Sequence, residues 1–589
     1  MFNIYRLALA VPELHPADVK FNQEKIIEAY RKAVTAGASL VVFPELAVTG
    51  SSCGILFKQM YLLDRAAAAA NDIAAATGDV PAVFGVPVLC GGKVLNTMVW
   101  ASHGEIAAVT VKDSADQFLD GERFPSGTLF DCGGLTVSVE FAGDFPQDTH
   151  AMLRIFAGAE PRLPGAERRH REFARTVSGC SGAAVAEVFA GNGESGTDVI
   201  YGGKPVCACN GRVLSGGTVS EAPEVCFYDL DGDILAAAQL NKTPASQSVL
   251  LEALPQAPDL QFFDNPAHPF MPENPVERRE FCDETLSIQA EALALRYFRS
   301  YSKSMVIGIS GGLDSTLALV VIDRCCNEFQ IPRKNIIAVT MPGFGTTGRT
   351  KNNALRLAEL IGASIREIPI TAACGQHFAD IGHDPQKHDS VYENTQARER
   401  TQILMDIANQ TGGIVVGTGD LSEIALGWCT FNGDHMAMYN VNSSIPKSSI
   451  ALLLECAAAG LPAEAAAILQ DVINTPVSPE LLPPDENGEI GQKTEAILGA
   501  YELHDYFLWQ FLNGVSEPEK VLVLAEHAFA GKYPAEEVRR VRELFCRRFF
   551  TQQFKRTAAP DGIQAGPFSL SARGAWQMGA DITGAIWRS

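Results

Sequence analysis

Basic charge is scarce in this 589-residue chain: 47 Lys and Arg stand against 69 Asp and Glu, a formal net charge of -22 at pH 7. Such a surface repels polyanions, which argues against nucleic acid or anionic membrane as partner and makes small-molecule chemistry the default class. No apolar run reaches membrane-spanning length; the alanines at 66–70 are soon followed by Asn71 and Asp72. The opening residues, MFNIYRLALAVPELHP, lack a basic leader followed by an apolar stretch and cleavage site, so they read as a first strand of a cytoplasmic protein. The 14 cysteines have no framework spacing, which suits a reducing compartment. Cys207 and Cys209 have no second Cys or His pair at ligand spacing and read as part of a strand. No fixed-period repeat and no long low-complexity stretch is found.

What is there is the composition of compact folded domains, 47% hydrophobic and 20% charged, in a chain too long for one ordinary core. Residues 1–252 alternate short β-branched strands, such as LVVFPELAVTG and PAVFGVPVL, with Ala-rich helices. Residues 253–282 include the Pro-rich QAPDLQFFDNPAHPFMPENP and read as a linker. Residues 283–589 open with a helix over 283–301. Strands at MVIGIS, NIIAVTMPG, SIREIPI and GGIVVGTGD then alternate with helices, the pattern of a doubly wound parallel sheet.

Between the first of these strands and its helix lies SGGLDS, residues 310–315. A Gly pair lets backbone N–H groups converge, and the following helix N-terminus adds partial positive charge, so a pyrophosphate can be cradled. The turn has no Lys, which excludes the phosphate loop used for γ-phosphate transfer. Asp314 disfavours a bare phosphate; its natural use is to hold Mg²⁺ between phosphates. A tight turn with an N-cap would account for the glycines alone, but strand, turn and helix in this order favour phosphate. Ser310, Gly311, Gly312, Leu313, Asp314, Ser315, Thr316 and Leu317 are therefore the candidate ATP-binding segment.

SGGLDS resembles the signature of the ATP pyrophosphatase superfamily, which cleaves ATP between its α and β phosphates to make adenylated intermediates. Four further segments narrow the likeness: YENTQARERTQ at 392–402, GTGDLSEIALGWCTFNG at 417–433, QKTEAILGAYELHD at 492–505 and FKRTAAPDG at 554–562. Together they resemble glutamine-dependent NAD synthetases over essentially the whole C-terminal half. The resemblance implies an adenine nucleotide α hydrolase-like fold and ATP-dependent adenylation of deamido-NAD, followed by amidation to NAD. It implies Thr418 at ATP, Asp314 and Glu423 at Mg²⁺, and Asn394, Glu423, Trp428, Cys429, Thr430, Phe431 and Lys555 around deamido-NAD. Lys447, in SIPKSS, joins Asp314 and Glu423 as a candidate catalytic residue. Members of the family assemble as dimers or larger homo-oligomers. A different adenylating amidotransferase and a non-catalytic nucleotide sensor are the rival readings.

The first domain resembles the carbon-nitrogen hydrolase glutaminase domains fused to these synthetases, which implies a nitrilase-like αββα sandwich. Their working set is a Glu base, a Lys that stabilises the oxyanion and a Cys nucleophile. Glu45 in VVFPELAVTG and Lys112 in VTVKDSADQF fit the first two, but the nucleophile position is Ala142, in Glu-Phe-Ala-Gly-Asp. An engineered Cys-to-Ala change in a glutamine-using enzyme would explain this residue. Gly143 and IFAGAE at 155–160 depart from the family pattern as well, which favours natural loss, with free ammonia rather than glutamine as the nitrogen source and Glu45 and Lys112 kept as an ion pair.

Overall fold

The computed structural model describes residues 2–588 apart from 113–122, 144–149, 192, 198, 220–223, 241, 243–247, 346–347, 476–496 and 516. Asp144, the residues directly after Lys112 and residues 492–496 of the QKTEAILGAYELHD segment thus lie outside the described residues. The chain divides into two compact units, Met1–Asp264 and Asn265–Ser589.

In chain order the strands of the first unit are β1 (Ile4–Ala10), β2 (Leu40–Val42), β3 (Ala82–Cys90), β4 (Lys93–Ser102), β5 (Glu105–Val111), β6 (Arg123–Pro125), β7 (Leu129–Asp131), β8 (Thr136–Phe141), β9 (Leu153–Gly158), β10 (Ala184–Phe189), β11 (Val206–Cys209), β12 (Arg212–Val213), β13 (Val225–Asp231) and β14 (Val249–Leu250). They form two sheets, ordered β13-β1-β2-β3-β4-β5-β6 and β12-β11-β10-β9-β8-β7-β14. Strand alternation gives each sheet two apolar faces. Leu7, Leu9, Val42 and Trp100 of the first sheet share one core with Val137, Ile155, Ala186 and Cys207 of the second. On the outer faces, Ala8, Ala10 and Val41 pack under α1 (Val19–Thr35) and α2 (Met60–Ala75), while Phe156, Val185 and Ala208 pack under α3 (Ala166–Ser181). This is the αββα sandwich.

The second unit carries one sheet of β15 (Met305–Gly308), β16 (Ile336–Thr340), β17 (Ser364–Glu367), β18 (Ile414–Gly417) and β19 (Tyr439–Asn440). Its order is β17-β16-β15-β18-β19 and every pairing is parallel. The strand order reverses between β15 and β18, and in open sheets of this kind ligands bind beyond the carboxyl ends of strands at that point. After α4 (Gly232–Gln239) of the first unit, the helices are α5 (Pro275–Arg299), α6 (Leu313–Glu328), α7 (Gly348–Ile361), α8 (Thr371–Ile381), α9 (Ser390–Thr411), α10 (Leu421–Leu426), α11 (Lys447–Ala458), α12 (Ala463–Ile473), α13 (Tyr501–Leu512), α14 (Pro518–Ala528), α15 (Ala535–Thr551) and α16 (Gln553–Thr557). Met305, Ile307 and Val416 face α5, α6 and α11; Val306, Val339 and Val415 face α8 and α9.

One helix differs from its sequence reading. α5 starts at Pro275, not at residue 283, so 275–282 is helix instead of connector. Asn274 caps it, its side chain accepting from Val276 N–H and Glu277 N–H, and Pro275 supplies a pre-set first helical φ.

Candidate active site

The two strands that flank the reversal each end in a turn, and the predicted chemistry sits on both. After β15 the chain reaches Gly311, whose φ of +86° is left-handed and open to glycine. Gly312 returns to extended backbone and starts α6 without a side-chain cap, leaving the helix N-terminus to attract anions. Serine hydroxyls hold the turn: Gly312 N–H donates to Ser310 Oγ (3.2 Å), Ser315 Oγ donates to Gly312 O (3.2 Å), and the two hydroxyls lie 3.1 Å apart. Thr316 and Leu317, also predicted at ATP, are buried within α6, with Leu317 in the core.

The turn after β18 contains Thr418, Gly419 and Asp420 and leads into α10. Asn442 ties the two turns together, its Nδ2 donating to the carbonyls of Asp314 (3.0 Å) and Thr418 (3.2 Å). Gln289 of α5 in turn donates to Asn442 Oδ1 (3.2 Å). Neither Asn442 nor Gln289 was singled out from the sequence, and both are fully buried.

Between the turns the structure brings Asp314, Glu423 and Lys447 together, and adds Asp420. The three carboxylates offer oxygens within 4.8 Å of one another. Lys447 Nζ lies 2.6 Å from Asp314 Oδ2, 2.9 Å from Asp420 Oδ2 and 3.0 Å from Glu423 Oε1. Three carboxylates and one ammonium leave a net deficit of positive charge in a largely desolvated place. Burial, opposed by Lys447 and reinforced by Asp314, pushes the Glu423 carboxyl up to about 7. Burial also drives Asp420 well above the usual carboxylate range. Burial alone would lower the Lys447 ammonium, yet the three carboxylates hold it well above its ordinary value. Asp314 Oδ1 and Asp420 Oδ2 are buried with no hydrogen-bond donor. An all-oxygen donor set, a negative balance and an orphaned carboxylate oxygen fit a Mg²⁺ ion that retains waters.

Two residues of α13 brace this cluster. Asp505 accepts from Ser448 N–H (3.0 Å) and from the Ser422 hydroxyl, whose oxygen accepts from Lys447 N–H (2.8 Å). Tyr501 presents its ring 5.4 Å from Lys447 Nζ.

A cleft runs from Glu423 past Gly427, Cys429 and Asp434 to Lys555. Lys555 Nζ donates to the carbonyls of Gly427 and Cys429, both at 2.7 Å. Arg548 donates to Leu426 O (2.9 Å) and Arg556 to Ala425 O (2.7 Å), so three cations grip the carbonyl end of α10. Burial pushes the Cys429 thiol up to about 12. The other predicted deamido-NAD residues do not line this cleft. Trp428 lies under the Arg548 guanidinium (4.9 Å), Thr430 Oγ1 donates to Asn394 Oδ1 (2.8 Å), and Phe431 stacks on His435 with ring centroids 5.0 Å apart.

In the first unit, Lys112 Nζ lies 2.9 and 3.2 Å from the two oxygens of Glu45, a carboxylate only 5% exposed. Asn96 Nδ2 donates to the same carboxylate, a partner the sequence did not reveal. Lys112 Nζ also lies 5.4 Å from the ring of Phe141, the neighbour of Ala142. Ala142 donates its N–H to Ala157 O (2.7 Å), and its methyl occupies the space against Gly158, where an added Cβ would come within 2.6 Å. The pair thus touches the residue that precedes the nucleophile position, and the side chain at 142 is a methyl.

Among the described residues no helix is long and apolar enough to cross a membrane. A family model described as NAD synthase matches residues 291–559. The chain is 32% identical to the glutamine-dependent NAD(+) synthetase of Mycobacterium bovis, covering 99% of this chain and 97% of that one. It is 31% identical, with the same coverage, to the protein of that description from Mycobacterium leprae. A solved glutamine-dependent NAD(+) synthetase from Cytophaga hutchinsonii aligns over 99% of both chains at 17% identity, with a TM-score of 0.44.

Proposed function

The chain belongs to the glutamine-dependent NAD(+) synthetase family, a ligase that forms a C–N bond, and from that premise we propose that it adenylates the carboxylate of deamido-NAD with ATP and completes the reaction with free ammonia. A carboxylate is a poor electrophile, and a mixed anhydride with AMP supplies the leaving group that ammonia then displaces. The single observation that carries this reading is the meeting of the Gly311–Gly312 turn, the helix N-terminus of α6, three carboxylates and Lys447 where the strand order reverses.

Each part has a task. The turn and the α6 N-terminus receive the pyrophosphate of ATP, with the hydroxyls of Ser310 and Ser315 as further donors. Asp314 and Glu423 would hold Mg²⁺, which when bound neutralises charge on the phosphate oxygens. Lys447, beside these carboxylates, offers its ammonium to the developing negative charge. The cleft from Glu423 to Lys555 receives the pyridine end of deamido-NAD, with Cys429 in its wall. No protein nucleophile enters the reaction, so the rate rests on positioning and charge stabilisation.

The nitrogen source follows from Ala142, whose methyl cannot form the thioester that glutamine hydrolysis needs. Glu45, Lys112 and Asn96 then serve as a buried polar cluster that keeps the first unit folded. The same reading places the protein in the cytoplasm as a dimer or larger homo-oligomer. The test is NAD formation with ammonium against glutamine as sole nitrogen donor. Ammonium should support turnover and glutamine should not; comparable rates with glutamine refute the loss of glutaminase activity.

A further inference from the structure

The cluster contains an arrangement that a metal site alone does not explain: an ammonium already occupies it. Lys447 Nζ has three N–H donors and donates to Asp314 (2.6 Å) and Glu423 (3.0 Å). It lies 2.9 Å from Asp420 Oδ2, a buried oxygen that no donor yet serves and that is placed to receive the ammonium when the other two let go. The three acids are not equivalent. Asp420 is completely buried, and its Oδ1 is committed to capping α10 through Glu423 N–H (2.8 Å). Asp314 and Glu423 keep about a fifth of their side chains exposed, at 23% and 21%. A divalent cation arriving from solvent therefore meets Asp314 and Glu423 first, and meets them already paired.

The ammonium has somewhere to go. Lys447 is the first residue of α11, its backbone is fixed by Ser422, and the Tyr501 ring gives its Nζ a second cation-accepting surface at 5.4 Å. Two cations cannot share the same carboxylate oxygens without strong repulsion.

We propose that Lys447 is a resident counter-ion of this site: it fills the cluster while no nucleotide is bound, then gives up Asp314 and Glu423 but keeps Asp420 when a divalent cation arrives with the polyphosphate. Asp420 is accordingly the keeper of the lysine and not a metal ligand. The consequence is a site that takes up its metal with the nucleotide and binds the free ion poorly. This rests on the reading of the cluster as the Mg²⁺–ATP site.

Mn²⁺ serves as probe, with the free ion counted by electron paramagnetic resonance on the full chain. The titrations compare the unmodified chain, Lys447→Met and Lys447→Met/Asp420→Asn, each with and without a non-hydrolysable ATP analogue. Without nucleotide, Lys447→Met should bind Mn²⁺ at least tenfold more tightly than the unmodified chain, and the double variant should retain most of that gain. Equal affinity of the unmodified chain and Lys447→Met overturns the counter-ion role. Loss of the gain in the double variant overturns the part given to Asp420. Absence of Mn²⁺ binding to the unmodified chain even with the analogue sinks the metal reading itself, and this inference with it. Should Lys447→Met fail to fold, a crystal structure of the unmodified chain with Mn²⁺ and the analogue decides. Nζ should lie within hydrogen-bond reach of Asp420, about 3.2 Å, and outside it for Asp314. Nζ still bonded to Asp314 beside the metal contradicts the proposal.

Discussion

Asp505 lies outside the ring of acids around Lys447, yet its two contacts bear on both segments that build that ring. One carboxylate oxygen takes the hydroxyl of Ser422, between Asp420 and Glu423; the other takes the N–H of Ser448, next to Lys447. Asp505→Ala leaves both donors without an acceptor in the interior. Each stranded buried donor costs roughly 1–3 kcal/mol, so about 4 kcal/mol of stability should be lost. Asp505→Asn should recover about half, because one oxygen can still accept while the amide cannot serve the second donor. Because the backbone of α11 would then be joined to α10 here by the Lys447 N–H to Ser422 Oγ bond, with Ser422 itself no longer held, part of the loss should appear as misplacement of Lys447 against Glu423. An error worth about 1.4–2.8 kcal/mol in the transition state lowers the rate ten- to a hundredfold. Urea unfolding gives the stability, and steady-state kinetics with saturating ammonium give the rate. The expected pattern is a fall in kcat, with the KM for deamido-NAD changed less than about twofold. Full kcat in an Asp505→Ala chain that has lost several kcal/mol would show that the brace serves folding alone.

Other consequences are equally open to measurement. His504 is buried, donates Nε2–H to Leu498 O at 2.9 Å, and has its pKa pushed down to about 4, chiefly by burial. A depressed folded-state pKa means stability that is present above about 6.5 and drains away as pH falls through 4; the loss should total about 3 kcal/mol and should shrink in His504→Gln, as read by unfolding at pH 7, 5.5 and 4. Lys112→Met strands Glu45 in the interior and should cost about 2–3 kcal/mol by denaturant titration, with the lysine's partial exposure holding it below a fully buried pair, while ammonium-dependent NAD formation keeps its kcat. Gly311→Ala forces a left-handed φ on a side chain at about 1–2 kcal/mol, and should raise the KM for ATP more than that for deamido-NAD.

How far the sequence could be read depended on whether a residue acts through its neighbours in the chain or through distant ones. The turn at 310–315 is local chemistry between a strand and a helix, so its glycines and Asp314 could be read directly, and the parallel sheet followed from the alternation around it. Glu423 and Lys447 were found through motif likeness, and the structure brings both to Asp314. Asp420 was missed because in sequence it is an ordinary helix cap, and it does cap α10; its second oxygen meets Lys447 only through the fold. Asn442, Asp505 and Asn96 act across 24 to 128 positions and leave no local trace. Trp428 and Phe431 are placed around deamido-NAD by the family resemblance, which carries no information on where their rings rest in this chain. The chain leaves α10 through Gly427 at a φ of +57°, and their rings rest on Arg548 and His435. The start of α5 was readable after all: Asn274 followed by Pro275 is a cap and a first-turn proline, obscured by the prolines before it.

The central claim is that one site binds ATP and activates a dinucleotide acid beside it, and pyrophosphate release tests it most directly. Purified chain is supplied with ATP, Mg²⁺ and ammonium, and release is followed with and without deamido-NAD. The account predicts pyrophosphate and NAD in equal amounts with the acid, and release near background without it. Pyrophosphate appearing at the same rate in both reactions would contradict it.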